Sequence, residues 1–388
     1  MTHLTCPSGS KTGARWPLRA LTAVFVLVAA CAPRADLVPH PLPAGDIDIG
    51  HTVSMFVGTT RAPAQDGLWS PEDRGTLNFA RVDVSVPPDR RPGQIRVARR
   101  DANPRTDFLT RRIHRFDGST AFRAAIRDSL RARKRPGSEV VVTVHGFNNT
   151  MGEGVFRTAQ MVHDLELPDT VVHYSWPSIA EPLGYAADRD SALIARDGLE
   201  QLLKELRSAG ARRIVLVAHS MGAHLTMETL RQISKSGNRD LMDRINGVVL
   251  MSPDLDIELF EAQARAIGKL PQPFVIFVSR RDPVLALSAR LTNQPNRLGN
   301  MDDIDAVAGL PVTVVDLSEA RDAGNPHNVA LTAPSVLKML EEATGSVQTA
   351  LQADPTGRTG FFPGTALVAQ GAAAVLLAPV TVIGEVVN

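Results

Sequence analysis

Cysteine is almost missing from this chain. Cys6 and Cys31 are the two it has, so no disulfide framework can staple the fold, which must rest on its apolar core. An excess of charge of one sign is missing as well. Lysine and arginine number 42 against 41 aspartate and glutamate, a formal net charge of +1, and so even a balance argues against nucleic acid as a partner. No segment repeats and none is of low complexity. No apolar run is long enough to cross a bilayer without interruption. What remains is ordinary for a soluble globular protein: 44% hydrophobic and 21% charged residues over 388 positions, room for one large domain or two modest ones.

The two ends differ from the middle. Lys11, Arg15 and Arg19 precede the apolar run Leu21 to Val28, which ends Val28-Ala29-Ala30-Cys31, and this basic, apolar, small-residue order reads as an export signal over 1–30. Ending on a cysteine, it resembles the bacterial lipoprotein signal, which implies a diacylglyceryl group on Cys31 as the first mature residue. Cys6 would leave with the signal. The expected address is the cell envelope, anchored through Cys31 and facing the periplasm or the cell surface. Residues 31–50, with Pro33, Pro39, Pro41 and Pro43 and no periodicity, read as an extended tether. At the other end, 346–388 form an apolar extension. Its uninterrupted piece, Ala366 to Ala378, would reach about 20 Å as a helix against the roughly 30 Å of a hydrocarbon core, which suits packing on the body or at an interface rather than spanning.

Between them lies the expected folded domain, 51–345. Val53 to Val57 and the alternating Val82, Val84 and Val86 read as strands of an antiparallel edge. Phe122, Ile126 and Leu130 recur at helical spacing. Glu139 to Val144, Val171 to Tyr174, Ile214 to Val217, Gly247 to Met251, Phe274 to Val278 and Val312 to Val315 are short β-branched runs. Helical stripes separate them, of which Leu199, Leu202, Leu203 and Leu206 form the clearest. Such alternation predicts an α/β fold: a mostly parallel central sheet with helices on both faces and its functional loops at the carboxyl ends of the strands. Trp176 reads as core. The stretch Ile179 to Asp190, with no clear period, reads as a loop over the site.

One stretch carries the chemistry. After the strand Ile214 to Val217 come Ala218-His219-Ser220-Met221-Gly222, and Gly222 opens a helical pattern through Leu225, Glu228, Thr229 and Ile233. A serine at so sharp a strand-to-helix turn projects its hydroxyl out of the sheet, with a helix N-terminus behind it. A hydroxyl becomes a nucleophile when a base takes its proton, and an imidazole steadied by a carboxylate is the usual base near neutral pH. Of the histidines that follow, His327 sits in a loop past the last strand, whereas His224 is fixed on the serine's own helix, so His327 is the expected base. Asp282, at the end of Phe274 to Val278, and Asp254, one strand earlier, are the candidate acids. Asp256 and Asp316 read as caps or loop hydrogen-bonders, and His219 as structural.

The turn resembles the nucleophile elbow of the α/β-hydrolase superfamily, with Ala218 in place of the first glycine. Together, A-H-S-M-G, H-G-F-N-N at 145–149, Y-S-W-P-S at 174–178 and S-R-R-D-P at 279–283 resemble a bacterial branch of that superfamily made up of predicted esterases and lipases. Arg61 and Val84-Ser85-Val86-Pro87 also match positions typical of it. The resemblance implies a serine hydrolase that needs no metal or cofactor and cleaves small carboxylic esters through an acyl-enzyme, on Ser220, His327 and, as the acid, Asp282, with Asp254 as the alternative. It also implies an oxyanion hole from the backbone N–H groups of Phe147 and Met221. An acyltransferase or amidase on the same residues, and a non-catalytic envelope scaffold, are the alternatives.

Overall fold

The computed structural model describes residues 34–333, apart from 36, 41–49, 65–67, 99–100, 133–138, 168–169, 295, 303, 308 and 321–325, together with the backbone of 365–370 and 374–379. The expected signal segment, Cys31 and the rest of the C-terminal extension lie outside the described residues.

The strands are β1 His51–Pro63, β2 Trp69–Val86, β3 Leu109–Arg115, β4 Glu139–Val144, β5 Val171–Ser175 and β6 Arg213–His219. They continue with β7 Ile245–Met251, β8 Phe274–Val278, β9 Thr313–Asp316, β10 Thr365–Gln370 and β11 Ala374–Pro379. The helices are α1 Ser119–Arg131, α2 Met151–Asp164, α3 Tyr185–Ala209, α4 Met221–Lys235, α5 Arg239–Met242, α6 Ile257–Ile267, α7 Pro283–Thr292 and α8 Val329–Thr332. All the strands join one sheet in the order β11-β10-β9-β8-β7-β6-β4-β5-β1-β2-β3. From β1 to β10 neighbours run parallel, while β2 and β3 at one margin and β11 at the other are antiparallel. This is the α/β fold expected, with its antiparallel N-terminal edge.

Strand periodicity sorts the core into two layers. Val140, Val142 and Val144 of β4 and Ile214, Leu216 and Ala218 of β6 face one side, packed with the leucine stripe of α3 and with Leu225 and Phe260. On the other side α2 covers the sheet, its Val155 and Phe156 against Val53, Met55 and Val57, its Met161 against a cluster holding Phe277 and Leu331. That second layer is thinner over β6, where Val215 and Val217 are half-buried rather than enclosed on both faces.

Helix boundaries follow local chemistry. Thr150 and Glu153 close a capping box at the start of α2, and Gly210, at φ 103°, ends α3 as its composition predicts. Three expectations are corrected. Residues 34–40 are not a free tether: Ala35 and Leu37 are buried, and His40 N–H donates to the Thr110 carbonyl at 2.8 Å, because even a proline-rich stretch packs when it carries apolar side chains. The 179–190 segment is not an open loop, since α3 already begins at Tyr185. Ala366–Gln370 and Ala374–Ala378 do not form a helix; β10 pairs with β9 and β11 folds back on β10, a pairing that overrides the helix preference of their alanines and leucines.

Chain order sets where a ligand can sit. From β4 the chain first builds β5 on one side and then crosses to β6 on the other, so the direction of winding reverses between β4 and β6. The crevice past the carboxyl ends of strands at such a reversal is where open α/β sheets bind ligands. Val144 pairs with Ala218, so the loop after β4 and the turn after β6 leave the sheet side by side.

Candidate active site

Ser220 follows β6 with φ 51° and ψ −123°, a conformation glycine adopts readily and other residues avoid. Holding it there costs about 1–3 kcal/mol, and such outliers persist where the surroundings over-determine them. Here they do. Ser220 N–H donates to the Met251 carbonyl at 2.9 Å, and the Ser220 carbonyl accepts from Ala223 N–H at 2.9 Å and Asp254 N–H at 3.2 Å. The turn also packs against the neighbouring loop with no room to spare. A Cβ on Gly222 would lie 2.4 Å from the His145 carbonyl oxygen, and one on Gly146 would lie 2.8 Å from Ser220 Cβ. At position 218, by contrast, a methyl is accommodated and fully buried.

His327 and Asp282 are brought together. The imidazole Nδ1 lies 2.7 Å from Asp282 Oδ2 and donates to it. The other carboxylate oxygen accepts the N–H groups of Val284, at 2.9 Å, and Leu285, at 3.1 Å, so Asp282 is at once the N-cap of α7 and the partner of the imidazole. Pro283 at the first helical position helps fix that cap. A carboxylate held at a helix N-terminus is a steady orienter for a ring. The backbone of His327 is fixed too: His219 Nε2 donates to its carbonyl at 3.2 Å, and the two rings lie 4.7 Å apart. His327 therefore sits against the residue that precedes Ser220. Among the described residues no hydrogen bond joins the Ser220 hydroxyl to the His327 ring; such bonds commonly tighten only with substrate in place.

The other histidines and acids are occupied elsewhere. Burial, then the field of His327, holds His219 down to about 3, and burial, then Arg189, holds His224 at about 4, so both are neutral rings at neutral pH. His145 stacks on Trp176 with centroids 4.9 Å apart, while the fully buried indole donates to the His145 carbonyl at 2.8 Å, in keeping with a core role for Trp176. Asp254, the alternative acid, does not meet His327. Its carboxylate takes hydroxyls from Tyr185, at 2.8 Å, and Ser288, at 2.5 Å, and pairs with Arg297 at 3.5 Å. Asp256 caps α6, and Asp316 accepts from Ser318.

Met221 opens α4, so its N–H is one of the donors a helix leaves unmet. Phe147 lies in the loop pressed against Ser220 through Gly146. Neither N–H meets an acceptor among the described residues. Two residues that hold this loop, Arg61 and Asp188, carried little signal in the sequence. For Arg61 the signals were its match to a family-typical position and its place inside an apolar strand, since arginine is almost never fully buried unless paired.

The sequence profile of a protein family described as "Alpha/beta hydrolase of unknown function (DUF900)" matches residues 119–343. Among solved structures, the chain is similar to a Pyrobaculum calidifontis esterase at 12% identity, covering 85% of this chain and 90% of that one, with a TM-score of 0.36. It is similar to a thermostable carboxylesterase from a metagenomic library at 14% identity, covering 86% and 96%, with a TM-score of 0.36. It is also similar to Aspergillus fumigatus lipase B at 15% identity, covering 59% and 54%, with a TM-score of 0.35. No curated protein sequence matches.

Proposed function

The chain belongs to the DUF900 family of α/β-hydrolases, and from that premise we propose that it is a serine esterase acting on small carboxylic esters. Ser220 Oγ attacks the ester carbonyl carbon as its proton passes to His327 Nε2, and Asp282 steadies the imidazolium that results. The carbonyl oxygen, now negative, takes hydrogen bonds from the Phe147 and Met221 N–H groups. The imidazolium returns its proton to the departing alkoxide, leaving an acyl group on Ser220. Water, deprotonated by His327, then attacks that acyl carbon, releasing the carboxylic acid and restoring the serine hydroxyl.

The observation that carries this reading is a serine held in a strained backbone at a strand end, directly after a histidine whose ring lies 4.7 Å from an imidazole paired with a buried carboxylate at 2.7 Å. The proposal extends to the address: export to the cell envelope and a lipid anchor on Cys31, in line with the basic, apolar, small-residue order that precedes it.

The test is hydrolysis of p-nitrophenyl esters and labelling by a fluorophosphonate. Wild-type protein is expected to turn over short esters and take the label, and Ser220→Ala to do neither. Equal turnover by the two proteins would remove the serine mechanism, and absence of both signals in the wild type would leave a scaffold.

A further inference from the structure

Behind the 145–150 loop the chain buries two opposite charges that take no part in the acyl transfer. Arg61, on β1, is fully buried. Its guanidinium reaches two loops at once: Nη2 donates to the Asn149 carbonyl at 3.0 Å, Nη1 to the Ser178 carbonyl at 3.1 Å and Nε to Ser175 Oγ at 3.1 Å. Asp188, in the first turn of α3, grips the same loops from another direction. It accepts the Asn148 N–H at 3.3 Å, the Ser178 hydroxyl at 2.5 Å and the Ile179 N–H at 2.9 Å. Ser178 Oγ in turn accepts the Asn149 N–H at 3.2 Å.

Both charges are costly where they are. Burial lowers the Arg61 guanidinium to about 10 against the opposing field of Asp188, and burial raises the Asp188 carboxyl in spite of its donors. Apolar side chains of similar volume could close the same space with no such cost. What apolar packing lacks is direction. Charge-assisted hydrogen bonds fix the position of peptide groups, and the groups fixed here are the N–H of Asn148, the N–H of Asn149 and the carbonyl of Asn149, which directly follow Phe147.

We propose that Arg61 and Asp188 are positioning residues for the reaction, holding the Asn148–Asn149 backbone so that the Phe147 N–H stays aimed at the developing oxyanion. The inference rests on the reading of Phe147 as an oxyanion donor. Ground-state binding draws little on that donor, whereas the charge of the transition state draws on it fully, so a loosened brace lowers kcat and spares KM.

The test compares Asp188→Asn, Arg61→Lys and Arg61→Met with wild type in the full chain. It measures kcat and KM for p-nitrophenyl acetate, thermal midpoint, and hydrogen exchange of the amides at 147–149. Asp188→Asn is expected to lower kcat by about 10- to 100-fold, with KM nearly unchanged and exchange of the loop amides accelerated relative to β4 and β6. Arg61→Lys should keep more activity than Arg61→Met. Ser178→Ala, which removes only the hydroxyl between Asp188 and Asn149, serves if either charged position proves needed for folding, with the same signature at smaller size. Unchanged kcat in a folded variant overturns the inference, as does a loss no larger than the fall in folded fraction. If wild type and Ser220→Ala both fail to cleave ester, the esterase reading falls while the brace is still scored by exchange: unchanged protection at 147–149 overturns it.

Discussion

At the scale of single residues, the carboxylates of Asp282 and Asp254 have opposite duties. Asp282 uses one oxygen to cap α7 and the other to hold His327, while Asp254 spends its oxygens on Tyr185 and Ser288 and lends only its N–H to the Ser220 carbonyl. An amide at 282 keeps an oxygen for the helix cap but turns the imidazole toward the wrong tautomer. Asp282→Asn is therefore expected to lower kcat by about 10⁴-fold with a nearly unchanged melting temperature. Asp254→Asn should do the reverse, costing stability through its buried partners and leaving kcat near the wild-type value. Steady-state kinetics and melting curves on the pair distinguish the two; a larger kcat loss at 254 than at 282 would exchange their roles.

At the scale of elements, the site exists because a strand end and a loop approach each other closer than most side chains permit. A Cβ at Gly222 would meet the His145 and Val144 carbonyl oxygens at 2.4 and 2.8 Å, and backbone cannot step aside as a flexible side chain can. Gly222→Ala is expected to cost about 2–3 kcal/mol and to part the elbow from the 145–150 loop, readable as a fall in both urea midpoint and turnover. An alanine variant as stable as wild type would mean that the two segments are free to separate. Much at this scale was legible in the sequence, because β4, α6 and β8 are set by local periodicity and their limits fall where the apolar runs end. The positions of Ser220 and Asp282 relative to the sheet were legible for a related reason: each falls within a few residues of a strand end, and β-branched runs locate strand ends well, whereas His327 lies well beyond the end of β9. The burial of Ala35 and Leu37, the pairing of β10 with β9 and the grip of Arg61 and Asp188 on two loops were not. Each joins segments far apart in the chain, and no local pattern records which distant partner a proline-rich stretch, an apolar tail or a lone arginine will meet.

At the scale of the whole molecule, buried imidazoles tie stability to pH. Burial, then the field of Arg61, lowers His173 to about 3; burial, then Arg189, lowers His224 to about 4. Both lie below the unfolded value of about 6.5, so the unfolded chain binds more protons and stability rises with pH. The contribution is complete above the unfolded value and drains away as pH falls from there toward 3–4. Each ring costs about 1.4 kcal/mol per pH unit in that window, so going from pH 7.5 to 5.5 removes about 3 kcal/mol through these two alone. His145, displaced in the same direction, adds to the loss. Urea midpoints at the two pH values measure it, and equal midpoints would mean that the rings are not sealed from water.

The contact of the first described residues with the 145–150 loop reaches further than its size suggests. Arg34 Nη2 donates to the Asn148 carbonyl at 2.8 Å, and Thr150 Oγ1 donates to the Ala35 carbonyl at 2.7 Å. The backbone from Cys31 to Arg34 can span no more than about 10 Å. A diacylglyceryl group at Cys31, as proposed, would leave only that length of chain between the leaflet and the folded domain. A flexible insert between Pro33 and Arg34 should slow cleavage of vesicle-embedded esters while leaving water-soluble ones untouched; an equal effect on both would detach the anchor from the chemistry.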